Sequence, residues 1–275
     1  MSLGMWLNFT VKTDRGKMNK QKPLELLVVE DTPRHLADAK QFFGDLQQRG
    51  IVNATYAGTL AEAEQALATR SYDGVISDIF FPMGFAEAEA TKARMNELID
   101  IMDDVFRKQE EGLERERKRD PSDMSGNQYR GRRALNNQHD AMGRWAYGKD
   151  QPPSGMLVAK KAIEKGMPVV FCTDTYHHDH ATEPINLWKY DFPIRMVDTA
   201  PGSNNPKPWR EAYAEIIAPI ILEREKEKLA ELRATLGPKS YTRYQIKDAL
   251  IRPLEEISEA VFKPFMQDMR TRYGF

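Results

Sequence analysis

Apolar and polar positions in the first eighty residues follow two alternating periods. Leu24 to Val29, "LELLVV", is an apolar run of strand length. Leu36, Ala39, Phe43 and Leu46 then recur at helical spacing behind Thr32 as N-cap and Pro33 in the first turn, with a stop near Gly50. Ile51 to Tyr56 predicts a second strand. Thr59 to Glu62, "TLAE", is a capping box that opens a helix with Ala63, Ala66 and Leu67 inward and ends near Ser71. "DGVISDIFFP" predicts a third strand, with Val75, Ile76, Ile79 and Phe80 apolar and Pro82 closing it.

This regular alternation stops at Gly84. Phe85 to Arg107 predicts a helix with Met95, Ile99, Met102 and Phe106 on one face, and "RKQEEGLERERKRD" continues it as a solvated charged rod. Residues 121 to 153 are rich in Gly, Asn, Arg and Pro and predict irregular loop, with a short helix around Leu135 to Trp145. The pattern resumes with "SGMLVAKKAIEKGMP", a helix ending at Gly166. A fourth strand follows at Val169 to Cys172, and a fifth at Ile194 to Val197. A long helix then runs from Trp209 to about Leu236, and Tyr241 to Tyr273 is helical with Pro253 and Pro264 as kinks or boundaries.

Strands alternating with helices predict an α/β fold, a doubly wound five-stranded parallel sheet. The division expected is an N-terminal arm over 1–22, a sheet domain over 23–222 interrupted by an insertion at 85–152, and a helical C-terminal extension over 223–275. Composition adds limits. The chain has 275 residues, 41% hydrophobic and 29% charged, with a formal net charge of -1, so no global field draws it to nucleic acid or a membrane surface. The single cysteine, Cys172, excludes an internal disulfide and fits a reducing, cytoplasmic compartment. The longest apolar runs are too short to cross a bilayer.

In a doubly wound sheet the chemistry sits at the carboxyl ends of the strands. Those ends carry Glu30 and Asp31, then Asp78, then Thr173, and Lys207 lies beyond the fifth strand. Adjacent carboxylates repel and raise one another's pKa unless a cation or open solvent relieves them. A hard divalent cation with oxygen ligands does so, and Mg²⁺ fits because it takes one or two carboxylates together with water and phosphate oxygens.

These same residues resemble a response-regulator receiver domain, the phosphoacceptor half of two-component signalling. "LLVVEDTP" is similar to that family's first strand with its acidic pair. "DGVISDIFFPMG" resembles its third strand, with the phosphorylated aspartate at Asp78 and a proline four residues on at Pro82. "PSGMLVAKKAIEKGMPVVFCT" is similar to its third helix and fourth strand, ending in the hydroxyl residue Thr173, and "PKPW" to its lysine-proline step at Lys207 and Pro208. The resemblance spans about Pro23 to Leu222. It implies an aspartyl phosphate on Asp78 and Mg²⁺ held by Asp31, Asp78 and the carbonyl of Phe80, with Glu30 acting through water. Lys207 and Thr173 would contact the phosphoryl oxygens, and a cis Lys207–Pro208 bond is allowed. The implied partner is a sensor histidine kinase or phosphotransfer protein, and the chain is a phosphoacceptor rather than an enzyme.

Two departures from the family pattern stand out: Asp174 occupies the usually small position after the hydroxyl, and Asn204 and Asn205 stand where an aromatic precedes the lysine. They favour the alternative of a pseudo-receiver, an interaction scaffold that is not phosphorylated. A haloacid-dehalogenase-like hydrolase would need Asp-x-Asp after the first strand, whereas Asp31 is followed by Thr32 and Pro33. "HHDH", His177 to His180, reads as a solvated loop, and Cys172 as core filler. "YRGRRALNNQHDAMGRWAYGK" mixes Arg with Tyr129, Trp145 and Tyr147, but the nearby Glu110, Glu111, Glu114 and Glu116 cancel much of its field, so it reads as a self-packing or partner-docking insertion. The stripe Leu222, Leu229, Leu232 and Leu236 predicts packing within the chain or across a homodimer.

Overall fold

The structure is a computed structural model. It describes residues 22–119, 150–174, 194–199, 206–236, 243–257 and 262–275, with some positions between 136 and 148 and Ile185 and Trp188. Five strands form one sheet: β1 (Leu24–Val29), β2 (Val52–Ala57), β3 (Gly74–Ser77), β4 (Val169–Thr173) and β5 (Arg195–Asp198). Every pairing is parallel and the order is β2-β1-β3-β4-β5, that of flavodoxin-like doubly wound sheets. Eight α-helices are described: α1 (Pro33–Gln48), α2 (Leu60–Thr69), α3 (Ala88–Arg119), α4 (Gly155–Glu164), α5 (Trp209–Arg224), α6 (Lys226–Leu236), α7 (Arg243–Ile251) and α8 (Phe262–Tyr273).

The sheet separates two apolar clusters, because successive strand residues point to opposite faces. Leu26, Val28, Ile76, Val170 and Cys172 join Ala39 and Phe43 of α1, Tyr213 and Ile217 of α5, and residues of α6, α7 and α8 on one face. Leu27, Val29, Val75, Val169 and Phe171 join α2, α3 and α4 on the other, with Ile185 and Trp188. Burial on both sides explains why β1 and β3 read as unbroken apolar runs. At β3, Gly74 faces Ile216, and a Cβ there would crowd that side chain, so the glycine lets α5 lie close to the sheet.

Several elements depart from the sequence reading, each for a local reason. α1 buries His35 with Ala39, Phe43 and Leu46, and Leu36 is half-buried. β3 ends at Ser77, because Asp78 turns its carboxylate onto the Ile79 N–H at 2.7 Å and the Ile79 carbonyl accepts from Gly155 N–H at 2.9 Å. Phe80 is half-buried and packs on Trp145, with ring centroids 6.1 Å apart, while Phe81 enters the core in its place. α3 is one helix of 32 residues whose buried stripe is Leu98, Met102, Val105 and Phe106, with Ile99 half-buried.

α3 is fastened to the body by ion pairs. Arg94 lies 2.8 Å from Glu64 of α2, Lys161 of α4 lies 2.7 Å from the same carboxylate, and Lys160 lies 2.7 Å from Glu97. The expected helix over 209–236 is interrupted at Glu225, whose carboxylate pairs with Arg272 of α8 at 2.6 Å. Pro253 separates α7 from a short 3₁₀ turn, and Pro264 falls in the first turn of α8, where a missing N–H is tolerated. Leu229 is buried in the α1/α5-side cluster, with Leu222 and Leu232 half-buried against it. No described helix is long and apolar enough to cross a membrane.

Candidate functional site

The register of the sheet builds the site. Val29 of β1 pairs with Ser77 of β3, so the next residues, Glu30 and Asp78, leave the sheet at the same level. Two residues earlier in each strand, Val28 and Ile76 belong to the α1/α5-side cluster, so alternation directs Glu30 and Asp78 to that face as well. Lys207 arrives there from the segment before α5. Its Nζ lies 2.6 Å from Glu30 Oε2 and 2.7 Å from Asp78 Oδ2, and its side chain is fully buried.

Each acid is further anchored. Asp78 donates its backbone N–H to the Val29 carbonyl at 2.8 Å. The Glu30 carboxylate accepts from the Thr32 N–H at 3.0 Å, which ties it to the start of α1. Asp31 is half-buried, and its Oδ2 accepts from the Gln151 amide at 3.3 Å. Ligand oxygens of Glu30, Asp31 and Asp78 all lie within 4.8 Å of one another. Opposite ligands of an octahedral Mg²⁺ stand about 4.2 Å apart, twice a bond of about 2.1 Å, so the trio suits a small hard cation with slight inward movement.

Burial pushes the Asp78 carboxyl up from 3.8 to about 6. The Lys207 ammonium opposes this, but Glu30 draws on the same ammonium and adds its own repulsion. Lys207 is held above its ordinary value: burial works against the charge, and the carboxylates of Asp78 and Glu30 outweigh it. Burial also pushes the Cys172 thiol well up, which leaves it an inert member of the core, as its place in β4 led one to expect.

Glu30, Asp31, Asp78 and Lys207 are thus brought together. Thr173 is the buried last residue of β4, paired in register with Asp198. The Lys207–Pro208 bond is trans, not cis, and Pro208 caps α5 from there. Asn204, Asn205 and His177 to His180 lie outside the described residues.

Sequence reasoning missed three contributors. His35 sets its Nε2 3.2 Å from Asp174 Oδ2, and the spacing His35, Ala39, Phe43, Leu46 was itself a helical face that could have revealed it. Ser154 donates its hydroxyl to the Phe81 carbonyl at 2.8 Å, fixing the loop after Asp78. Gln151 had no signal at all.

The fold and site define a class: a flavodoxin-order parallel α/β sheet with a carboxylate notch and a buried ammonium at its carboxyl edge. Compared with family models, with curated proteins and with solved structures, the chain matches none.

Proposed function

We propose that the chain is a receiver-type phosphoacceptor, phosphorylated on Asp78 with Mg²⁺ in the notch of Glu30, Asp31 and Asp78. The observation that carries the reading is the meeting of three carboxylates within 4.8 Å beside a buried Lys207 ammonium, at the carboxyl edge of the sheet. The residues before Pro23, the stretch 85–152 and the helices beyond Leu222 are then an arm, an insertion and an extension around a receiver core.

In this reading an Asp78 carboxylate oxygen forms a bond to phosphorus while the donor's P–N or P–O bond breaks. The leaving nitrogen departs with a proton, and a leaving carboxylate departs as its anion. When bound, Mg²⁺ neutralises charge on the phosphoryl oxygens. Asp31, Asp78 and the Phe80 carbonyl would hold that cation, with Glu30 acting through water, as the resemblance implies. Lys207, freed from part of its bond to Asp78, donates to a phosphoryl oxygen; the resemblance gives the Thr173 hydroxyl the same role, which requires it to turn from the Phe171 face toward Asp78. The partner is a histidine-phosphorylated kinase or phosphotransfer protein.

The second reading, a pseudo-receiver scaffold that carries no phosphate, is favoured by the carboxylate of Asp174 beside Thr173, bonded to His35. One experiment separates the two. Incubation with acetyl phosphate or phosphoramidate and Mg²⁺ should label the native chain, and Asp78→Asn should abolish the label; undiminished labelling in the variant would refute the assignment.

A further inference from the structure

The elements flanking the notch touch each other across it. In the strand order β3 lies between β1 and β4, so a contact from the first turn of α1 to the residue after β4 must span two inter-strand spacings, about 10 Å, above the end of β3. The bond between His35 Nε2 and Asp174 Oδ2, at 3.2 Å, is such a contact. Alternation sends Asp174 to the same face as Asp78, since Cys172 and Ile76, two residues earlier, both belong to the α1/α5-side cluster.

The bridge is anchored at both ends. The His35 side chain is 10% exposed, and among the described residues its buried Nδ1 has no hydrogen-bond partner, so packing and Asp174 fix the ring. The Asp174 carbonyl accepts from the Thr199 hydroxyl at 3.3 Å, while its side chain is 52% exposed. An exposed carboxylate is therefore held beside the end of β3, on the sheet face to which Asp78 is directed.

We propose that Asp174, positioned by His35, selects phosphoryl donors by charge: it disfavours dianionic acyl phosphates and tolerates N-phosphoryl donors whose nitrogen carries a compensating proton. The inference rests on Asp78 being the phosphoacceptor. A fixed negative charge about 8 Å from a donor in water-like surroundings repels a dianion about twice as strongly, in free energy, as a monoanion. His35 and Asp174 touch no reacting atom in this scheme; they are positioning and specificity residues.

The test compares initial labelling rates of the native chain, Asp174→Asn and Asp174→Ala with acetyl phosphate and with phosphoramidate, at low ionic strength with Mg²⁺. Asn keeps the shape and a hydrogen bond to His35; Ala removes both. Both variants should accelerate acetyl phosphate labelling about fivefold and phosphoramidate labelling about twofold, and salt should shrink the difference. An unchanged rate ratio in both variants, or a change confined to Asp174→Ala, overturns selection by charge. Absence of any label on the native chain with either donor overturns the phosphoacceptor reading itself, and this inference with it.

Discussion

Lys207 is the residue on which the notch depends without metal. Its ammonium sits against Glu30 and Asp78 with no solvent access, and removing one partner of such a buried ion pair costs about 3–5 kcal/mol because the remaining charges go uncompensated. Lys207→Met should therefore unfold at markedly lower denaturant in the presence of chelator, and Mg²⁺ should restore part of the loss; equal midpoints with and without Mg²⁺ would show that the cation does not enter the notch. Asp78 adds a pH dependence. Its folded pKa, about 6, stands above the ordinary 3.8, so the native state holds this proton more tightly than the unfolded chain. The stabilisation is fully present below about pH 4 and is lost as pH rises through about 6, by up to about 3 kcal/mol. Metal-free native chain and Asp78→Asn, unfolded in denaturant from pH 4 to 7, should differ in this slope, with the variant lacking it. The same proton competes with a cation, so Mg²⁺ affinity should weaken as pH falls through about 6.

At the scale of elements, the join between β3 and α4 holds the site's loop in place. Gly155 donates to the Ile79 carbonyl, and a Cβ on it would collide with the carbonyl oxygen of Asp78. Gly155→Ala forces that backbone apart, and overpacking of this kind costs about 1–3 kcal/mol. It should lower both the unfolding midpoint and Mg²⁺ affinity, measured by calorimetry; a change in the midpoint alone would separate the loop from the site. The strands and the first helices were legible because burial on two faces writes continuous apolar runs and capping chemistry is local. Thr59 Oγ1 does accept from the Glu62 N–H at 3.2 Å, although Glu62 reaches back to the N–H of Gly58 rather than of Thr59. Glu30, Asp31 and Asp78 were legible because parallel topology places strand ends side by side. What was hidden depends on contacts far apart in sequence: Gln151 meets Asp31 across 120 positions and His35 meets Asp174 across 139. The break at Glu225 was hidden in the same way, since its partner Arg272 lies 47 positions on.

Across the whole molecule, the C-terminal helices contribute to the sheet's own core. Ile246, Leu250, Phe262, Met266 and Met269 share a cluster with Phe43 and Tyr213; the Tyr213 hydroxyl donates to the Tyr273 carbonyl at 3.0 Å, and Tyr213 stacks on Phe275 with centroids 5.2 Å apart. Removing residues 243–275 should expose Phe43 and Tyr213 and give an aggregating or non-cooperatively unfolding chain by light scattering and circular dichroism. A monomeric product with an unchanged melting curve would show the extension to be dispensable. The embedded ammonium of Lys207 has one more effect. Two carboxylates bond it and a third lies within 4.8 Å of them, so by formal charge the notch carries a surplus of two negative charges in a chain whose formal total is only -1. If the notch takes the proposed phosphoryl group, repulsion favours a loading order in which a dication settles before the phosphorylated visitor.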